Sequence, residues 1–136
     1  MAGYSGTPLV KKLGIKPDHA IVVRNCPMDY RDLVPNIPET VSIGKHWRKG
    51  LDFTHIFSKK RKELESGIAQ ALKYISPNGM IWVSWPKKAS RIETDITEDT
   101  IREIIRGTDL VDVKVCAVDE VWSGLKLVIR KEKRSH

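Results

Sequence analysis

Basic side chains fall in this sequence where a fold could aim them. Lys59, Lys60, Arg61 and Lys62 follow Ser58 at the start of a helical pattern, Lys87 and Lys88 follow a proline that closes an apolar run, and Arg24 with Asn25 closes another run. Such groups can hold an anion, because ammonium and guanidinium donate charge-assisted hydrogen bonds to phosphate or carboxylate oxygens. Cations at a helix N-terminus oppose its dipole by about 0.3–1 kcal/mol each, so a bound anion would offset that cost. The competing reading is that these long side chains splay into solvent. Asp119, Glu120, Trp85 and Trp122 complete the candidate ligand-binding set, and acid beside base there also fits a structural ion-pair network.

Other constellations carry less. His19, His46, His55 and His136 have no metal-ligand spacing with one another or with Cys26 and Cys116, which argues against a zinc centre. His55 falls inside a strand pattern and reads as a satisfied core histidine rather than a base. Ser84 lacks the Gly-x-Ser-x-Gly elbow of a nucleophile, and Ser58 has a sufficient role as a helix cap. No glycine-rich phosphate loop ending in Lys-Ser/Thr is present. The catalytic set is therefore empty, and an enzyme is the less favoured class.

The elements that must position these residues are legible from pattern. Met80 to Val83 is a nearly continuous apolar run in a strand that Pro86 ends at Trp85, which reads as a central strand covered on both faces. Lys87 and Lys88 then emerge past its carboxyl end, the edge at which open α/β sheets bind ligands. Before it, Leu64, Ile68, Ala71, Leu72 and Ile75 follow 3.6 periodicity, with Ser58 as cap and Pro77-Asn78-Gly79 as the turn into the strand. Leu51 to Phe57 alternates Phe53, His55, Phe57 with Asp52, Thr54, Ile56, and Ala20 to Asn25 is a short β-branched strand. Thr7 as cap, Pro8 at the first helical position and Gly14 as terminator predict a short helix between them. Three prolines between Pro27 and Pro38 leave room for a brief turn at Asp29 to Val34, and Thr40 to Ile43 is a weak strand whose link to Leu51 is short for a crossover. Thr97 opens a helix with Glu98 and Asp99 in its first turn. Alternation of Val111, Val113, Val115 and of Leu125, Leu127, Ile129 predicts a closing antiparallel hairpin whose connector reaches Trp85 and Lys87.

Strands alternating with helices and ending in a hairpin predict a three-layer α/β fold with a mainly parallel sheet. The 136 residues fit one domain, with fraying expected at residues 1–4 and in the basic tail 131–136. Two well-separated cysteines suit a reducing compartment, and the absence of an apolar leader or a span of roughly 20 apolar residues makes a cytoplasmic protein, without a membrane partner, the expectation. A net charge of +7 favours acidic partners.

The order of helix, Pro-Asn-Gly turn, buried strand, helix and terminal hairpin resembles the second half of the class I methyltransferase fold, over about Leu51 to Lys131. The strings Tyr4-Ser-Gly-Thr-Pro-Leu9, Lys11-Lys-Leu-Gly-Ile15, Trp82-Val-Ser-Trp-Pro-Lys-Lys88 and Val118-Asp-Glu-Val-Trp-Ser-Gly-Leu-Lys126 are similar to a bacterial family of unknown function. The resemblance implies a reduced methyltransferase-like, Rossmann-like fold and no activity. Members of the methyltransferase class hold adenosylmethionine with a glycine-rich turn after the first strand and an acid ending the second. Here those places read Arg24-Asn-Cys-Pro-Met28 and Ile43-Gly-Lys45, so no cofactor is expected. The favoured function is a non-catalytic binding or regulatory module for a small, phosphate-bearing ligand. The alternatives are a basic protein that binds nucleic acid weakly, non-specifically and through its tail, and a divergent methyltransferase.

Overall fold

The computed structural model describes residues 6–134, so the expected fraying of residues 1–4 lies outside them. Six strands, β1 (Ala20–Arg24), β2 (Ser42–Gly44), β3 (Leu51–Phe57), β4 (Ile75–Pro86), β5 (Leu110–Ala117) and β6 (Trp122–Ile129), form one sheet in the order β2-β1-β3-β4-β6-β5. β1 to β4 run parallel, and β6 enters antiparallel between β4 and the edge strand β5. The expected three-layer fold is the one observed.

One face of the sheet carries α3 (Arg61–Tyr74) and α4 (Glu98–Ile105), with Leu64, Ile68, Ala71, Ile101 and Ile105 packed on Ile56, Ile81, Val83 and Trp85. The other face is covered by α1 (Leu9–Leu13), α2 (Tyr30–Leu33) and the segment around Val34 to Val41, packed on Ile21, Phe53, Phe57, Trp82 and Trp122. Burial of both faces explains the unbroken apolar run of β4, in which Ile81 to Pro86 are all buried. Trp82 donates its indole N–H to the Leu13 carbonyl at 2.9 Å, which fastens α1 to the central strand.

Several local expectations are corrected. Pro8 is the N-cap of α1, so Thr7 lies one residue outside the helix, while Gly14 ends it as expected, in the left-handed conformation at φ 83°. The weak strand begins two residues later, at Ser42, because it is the sheet edge and pairs only with β1. β2 and β3 are not neighbours in the sheet; β1 lies between them. Pro77-Asn78-Gly79 is not a separate turn. It forms a bulge inside β4, since Leu51 pairs with Ile75 but Phe53 pairs with Met80. Val113 and Val115 are exposed, against the alternation expected of them, because β5 is an edge and a bulge interrupts it between Asp112 and Lys114. Of the tail, Lys131–Lys133 forms a 3-10 turn and Arg134 donates through Nε to the Ile129 carbonyl at 2.7 Å, while residues 135–136 lie outside the described part. No helix among the described residues is long and apolar enough to cross a membrane.

Candidate functional site

The parallel strands deliver their carboxyl ends to one edge, as the pattern required. In register, Arg24 lies beside Ile56 and Phe57 beside Ser84. The hairpin connector reaches the same edge, where Trp85 pairs with Ser123, Pro86 with Trp122, and the Lys87 N–H donates to the Val121 carbonyl at 2.8 Å.

At this edge the structure separates the candidate residues into three groups. The first surrounds the N-terminus of α3. Ser58 is not the helix cap: it lies two residues before the N-cap Lys60, accepts the Lys60 N–H at 3.2 Å and donates to Glu63 Oε1 at 2.9 Å. The orphan N–H of Arg61 donates to Asp95 Oδ1 at 2.6 Å, and Thr94 and Asp95 both bond the Lys59 carbonyl. The anion that the helix end asks for is therefore supplied by the chain's own Asp95. The Arg61 guanidinium is also committed, to Glu65 at 3.1 Å and Glu103 at 2.8 Å, and these bonds push its pKa further up. Lys59 and Lys60 are exposed, the solvated state set against a ligand role in the sequence.

The second group is the connector. Asp119 Oδ1 accepts the N–H groups of Val121 and Trp122 at 2.8 and 2.7 Å, a turn-fixing role. Trp122 is buried and meets Phe57 edge-on at 5.3 Å, while Trp85 is buried on the opposite face, so the two tryptophans do not share a pocket. Glu120 and Lys88 are exposed and Lys87 is half-buried at the rim.

The third group is a cleft of about 750 Å³ at the carboxyl ends of β1 and β2. Arg24 and Asn25 line it as expected. The sequence reading missed its other polar members: Arg31 and Asp29 from α2 and its cap, and Lys45 just past β2. Asn25 takes the left-handed conformation at φ 61°, turning the chain sharply out of β1 without a glycine. Arg24 donates from Nη1 to the Lys45 carbonyl at 2.7 Å and lies 5.6 Å over the Trp47 ring, which is itself stacked on Tyr74. Arg31 donates from Nη2 to the Val41 carbonyl at 2.9 Å. Each guanidinium has further donors, so neither is exhausted by one carbonyl. The available signal for Lys45 was its place at the end of the second strand; Arg31 sits in a proline-rich stretch with no periodic pattern.

Tyr30 forms the inner wall, with its hydroxyl 2.7 Å from His55 Nδ1, and His55 Nε2 is 2.7 Å from Ser84 Oγ. His55 is thus the satisfied core histidine that its place in a strand suggested. Burial holds its pKa at about 3, and burial pushes the Tyr30 phenol well above its ordinary value. Burial likewise raises the Cys26 thiol, with Asp119 and Asp29 adding to the effect. None of these three groups is poised to exchange a proton near neutrality. A second cavity of about 420 Å³, lined by His19, Asp52 and Ser76 to Met80, opens at the opposite, amino-terminal edge.

The structure is similar to a type 11 methyltransferase of Sulfolobus solfataricus described as putative, with TM-score 0.67 and 11% identity, covering 94% of this chain and 93% of that one. It is also similar to a SAM-dependent methyltransferase of Aquifex aeolicus, with TM-score 0.59 and 11% identity over 90% and 88% of the two chains. A magnesium protoporphyrin IX methyltransferase of Synechocystis solved with bound SAM gives TM-score 0.59 and 10% identity over 90% and 74%. The chain has a methyltransferase-like fold. No family model matches it, and no curated protein does. At these identities the likeness concerns the fold alone.

The fold makes adenosylmethionine the group to test against the cleft, and the residues do not fit it. The place where a carboxylate would accept the ribose hydroxyls is Gly44-Lys45, whose backbone carbonyl is taken by Arg24. Among the described residues the carboxylate lining the cleft is Asp29, which accepts the Arg31 N–H at 2.9 Å as the α2 cap. Arg24, Arg31 and Lys45 make the lining cationic, which disfavours a sulfonium.

Proposed function

We propose that this chain is a non-catalytic binding module that takes a small phosphate-bearing anion in the cleft between β1 and β2. The observation that carries the reading is the lining itself: Arg24, Arg31 and Lys45 against the single carboxylate Asp29, at the carboxyl ends of parallel strands. Arg24 is pre-oriented by the Lys45 carbonyl and the Trp47 ring, so less side-chain freedom is lost when it meets an anion. Lys59, Lys60, Lys87 and Lys88, from the same sheet edge, add positive potential outside the cleft. A binding role is preferred to methyl transfer because the cationic lining and the Gly44-Lys45 strand end do not suit adenosylmethionine. The similarity of the sequence strings to a bacterial family of unknown function adds no activity to this reading.

Thermal unfolding with inorganic phosphate, pyrophosphate and a nucleoside triphosphate tests it. An anion at 100 times its dissociation constant should add about 2.7 kcal/mol. The gain should vanish in an Arg31→Gln/Lys45→Gln variant and survive in Lys59→Gln/Lys60→Gln. Loss in the second variant alone would move the site to α3, and a melting temperature unmoved by all three anions would overturn the proposal. Calorimetry with adenosylmethionine should show no binding at micromolar concentration.

A further inference from the structure

Lys114 of β5 and Lys126 of β6 are direct cross-strand partners in the hairpin. Neither ammonium has an ion pair or hydrogen bond among the described residues, and the ion pairs of Arg61 and Arg102 lie in the α3–α4 layer. Like charges directly opposed on neighbouring strands repel, so this arrangement is a cost the sheet bears without an internal counter-ion. Burial and the charge of Lys114 both lower the Lys126 pKa. Lys126 also pairs across β4 with Trp82, a member of the core beneath α1 and α2, which places both lysines on that face. Lys12 belongs to α1, which covers the same face.

We infer that the face formed by Lys12, Lys114 and Lys126 docks the phosphate backbone of nucleic acid. Directly opposed side chains on neighbouring strands lie about 5 Å apart at Cβ, close enough for the two ammonium groups to meet neighbouring phosphates of one strand. The binding is sequence-independent, because Trp82, Trp85 and Trp122 are 0%, 7% and 8% exposed and offer no base a stacking surface. An anionic membrane fits less well. Such docking inserts several apolar side chains beside the basic ones, whereas exposed Val115 pairs with Leu125 and so points to the opposite face, the register neighbour Trp82 is fully buried, and exposed Val113 at the bulge is a single valine.

Anisotropy of a fluorescein-labelled homopyrimidine oligonucleotide with the full chain, between about 50 and 200 mM salt, tests this surface. Wild type should bind at the low end and weaken steeply with salt. Lys114→Gln/Lys126→Gln should bind at least tenfold more weakly at about 50 mM salt, with a slope of log affinity against log salt shallower by about 1.4, from about 0.7 for each phosphate on a single strand. The variant should melt no lower than wild type, because a repulsion has been removed. Lys114→Gln alone, on the exposed edge, should give about half the change in slope, which keeps the test open if the double variant folds poorly. A Lys114→Arg/Lys126→Arg variant should restore binding. Wild-type slope and affinity in the glutamine variants, no oligonucleotide binding by wild type at low salt, or lysine-dependent binding to phosphatidylserine vesicles in preference to the oligonucleotide would each overturn the assignment.

Discussion

The Tyr30 hydroxyl and the His55 ring are joined by a 2.7 Å hydrogen bond inside the core, and the other ring nitrogen of His55 is closed off by Ser84 at the same distance. A neutral imidazole has one donor and one acceptor nitrogen, and two hydroxyls can complement either tautomer. The three side chains come from α2, β3 and β4, so the network ties the inner wall of the cleft to the centre of the sheet. Tyr30→Phe would leave one buried ring nitrogen unmatched, at a cost of about 1–3 kcal/mol. Urea unfolding should show a lower midpoint with an unchanged slope. A Tyr30→Phe midpoint equal to wild type would mean that the bond is replaced, for instance by water from the cleft.

The same burial makes stability depend on pH with a definite sign. His55 holds its proton only below about pH 3 in the folded chain, but near 6.5 when unfolded. Between those values the unfolded state binds more protons, so stability is complete above about pH 6.5 and falls as pH drops toward 3. The slope from this one group approaches about 1.4 kcal/mol per pH unit, for a total of the order of 5 kcal/mol. His55→Gln should be less stable at neutral pH and should lack this component of the acid slope. Parallel curves for the two proteins between pH 4 and about 6.5 would refute the buried neutral state.

Gly79 is needed for packing rather than for a turn. A Cβ at this position would stand 2.6 Å from Cγ1 of Ile75 and 2.9 Å from the Leu51 carbonyl oxygen, where the bulge folds β4 against its own start. Backbone cannot yield as a side chain can, so Gly79→Ala should cost about 1–3 kcal/mol. Gly107→Ala, with no atom within 4 Å of its added Cβ but with φ at 84°, should cost only the roughly 1 kcal/mol of a left-handed residue. Equal losses at the two positions would show that crowding is not the cause at Gly79.

What the sequence made legible is what local pattern encodes. β3, α3, β4 and α4 follow from periodicity and from Pro86 and Thr97, and Thr97 does form a capping box with Thr100. Strand order is not written in any local window. Val111, Val113 and Val115 alternate as a half-buried strand does, yet β6 inserts beside β4 and leaves β5 at the edge with two of them exposed. Of the candidate cleft, the residues legible in the sequence were those where a strand end announces itself, Arg24 and Asn25. Arg31, Asp29 and Lys45 come together because α2 folds back over β1, a tertiary event in a segment whose prolines erase periodicity. Ser58 was a plausible cap by spacing. It lost that place to Asp95, which lies 34 residues from its partner in sequence and could not be matched to the helix without the fold.

That replacement gives the last prediction. The N-terminus of α3 attracts negative charge through its dipole and its orphan N–H groups, and three of its first positions carry Lys60, Arg61 and Lys62. Asp95 meets this demand at 2.6 Å from the Arg61 N–H, held there by its own N–H on the Lys59 carbonyl. Asp95→Ala should therefore cost about 0.5–2 kcal/mol, as loss of a cap does. It should also create an anion site that wild type lacks, so sulfate should stabilise the variant more than the wild-type chain. Asp95→Asn, which keeps an oxygen acceptor but not the charge, should retain most of the stability and gain part of the sulfate response. If sulfate stabilised wild type and Asp95→Ala equally, the helix end would be open to external anions in the native chain, and Lys59 and Lys60 would return as its ligands.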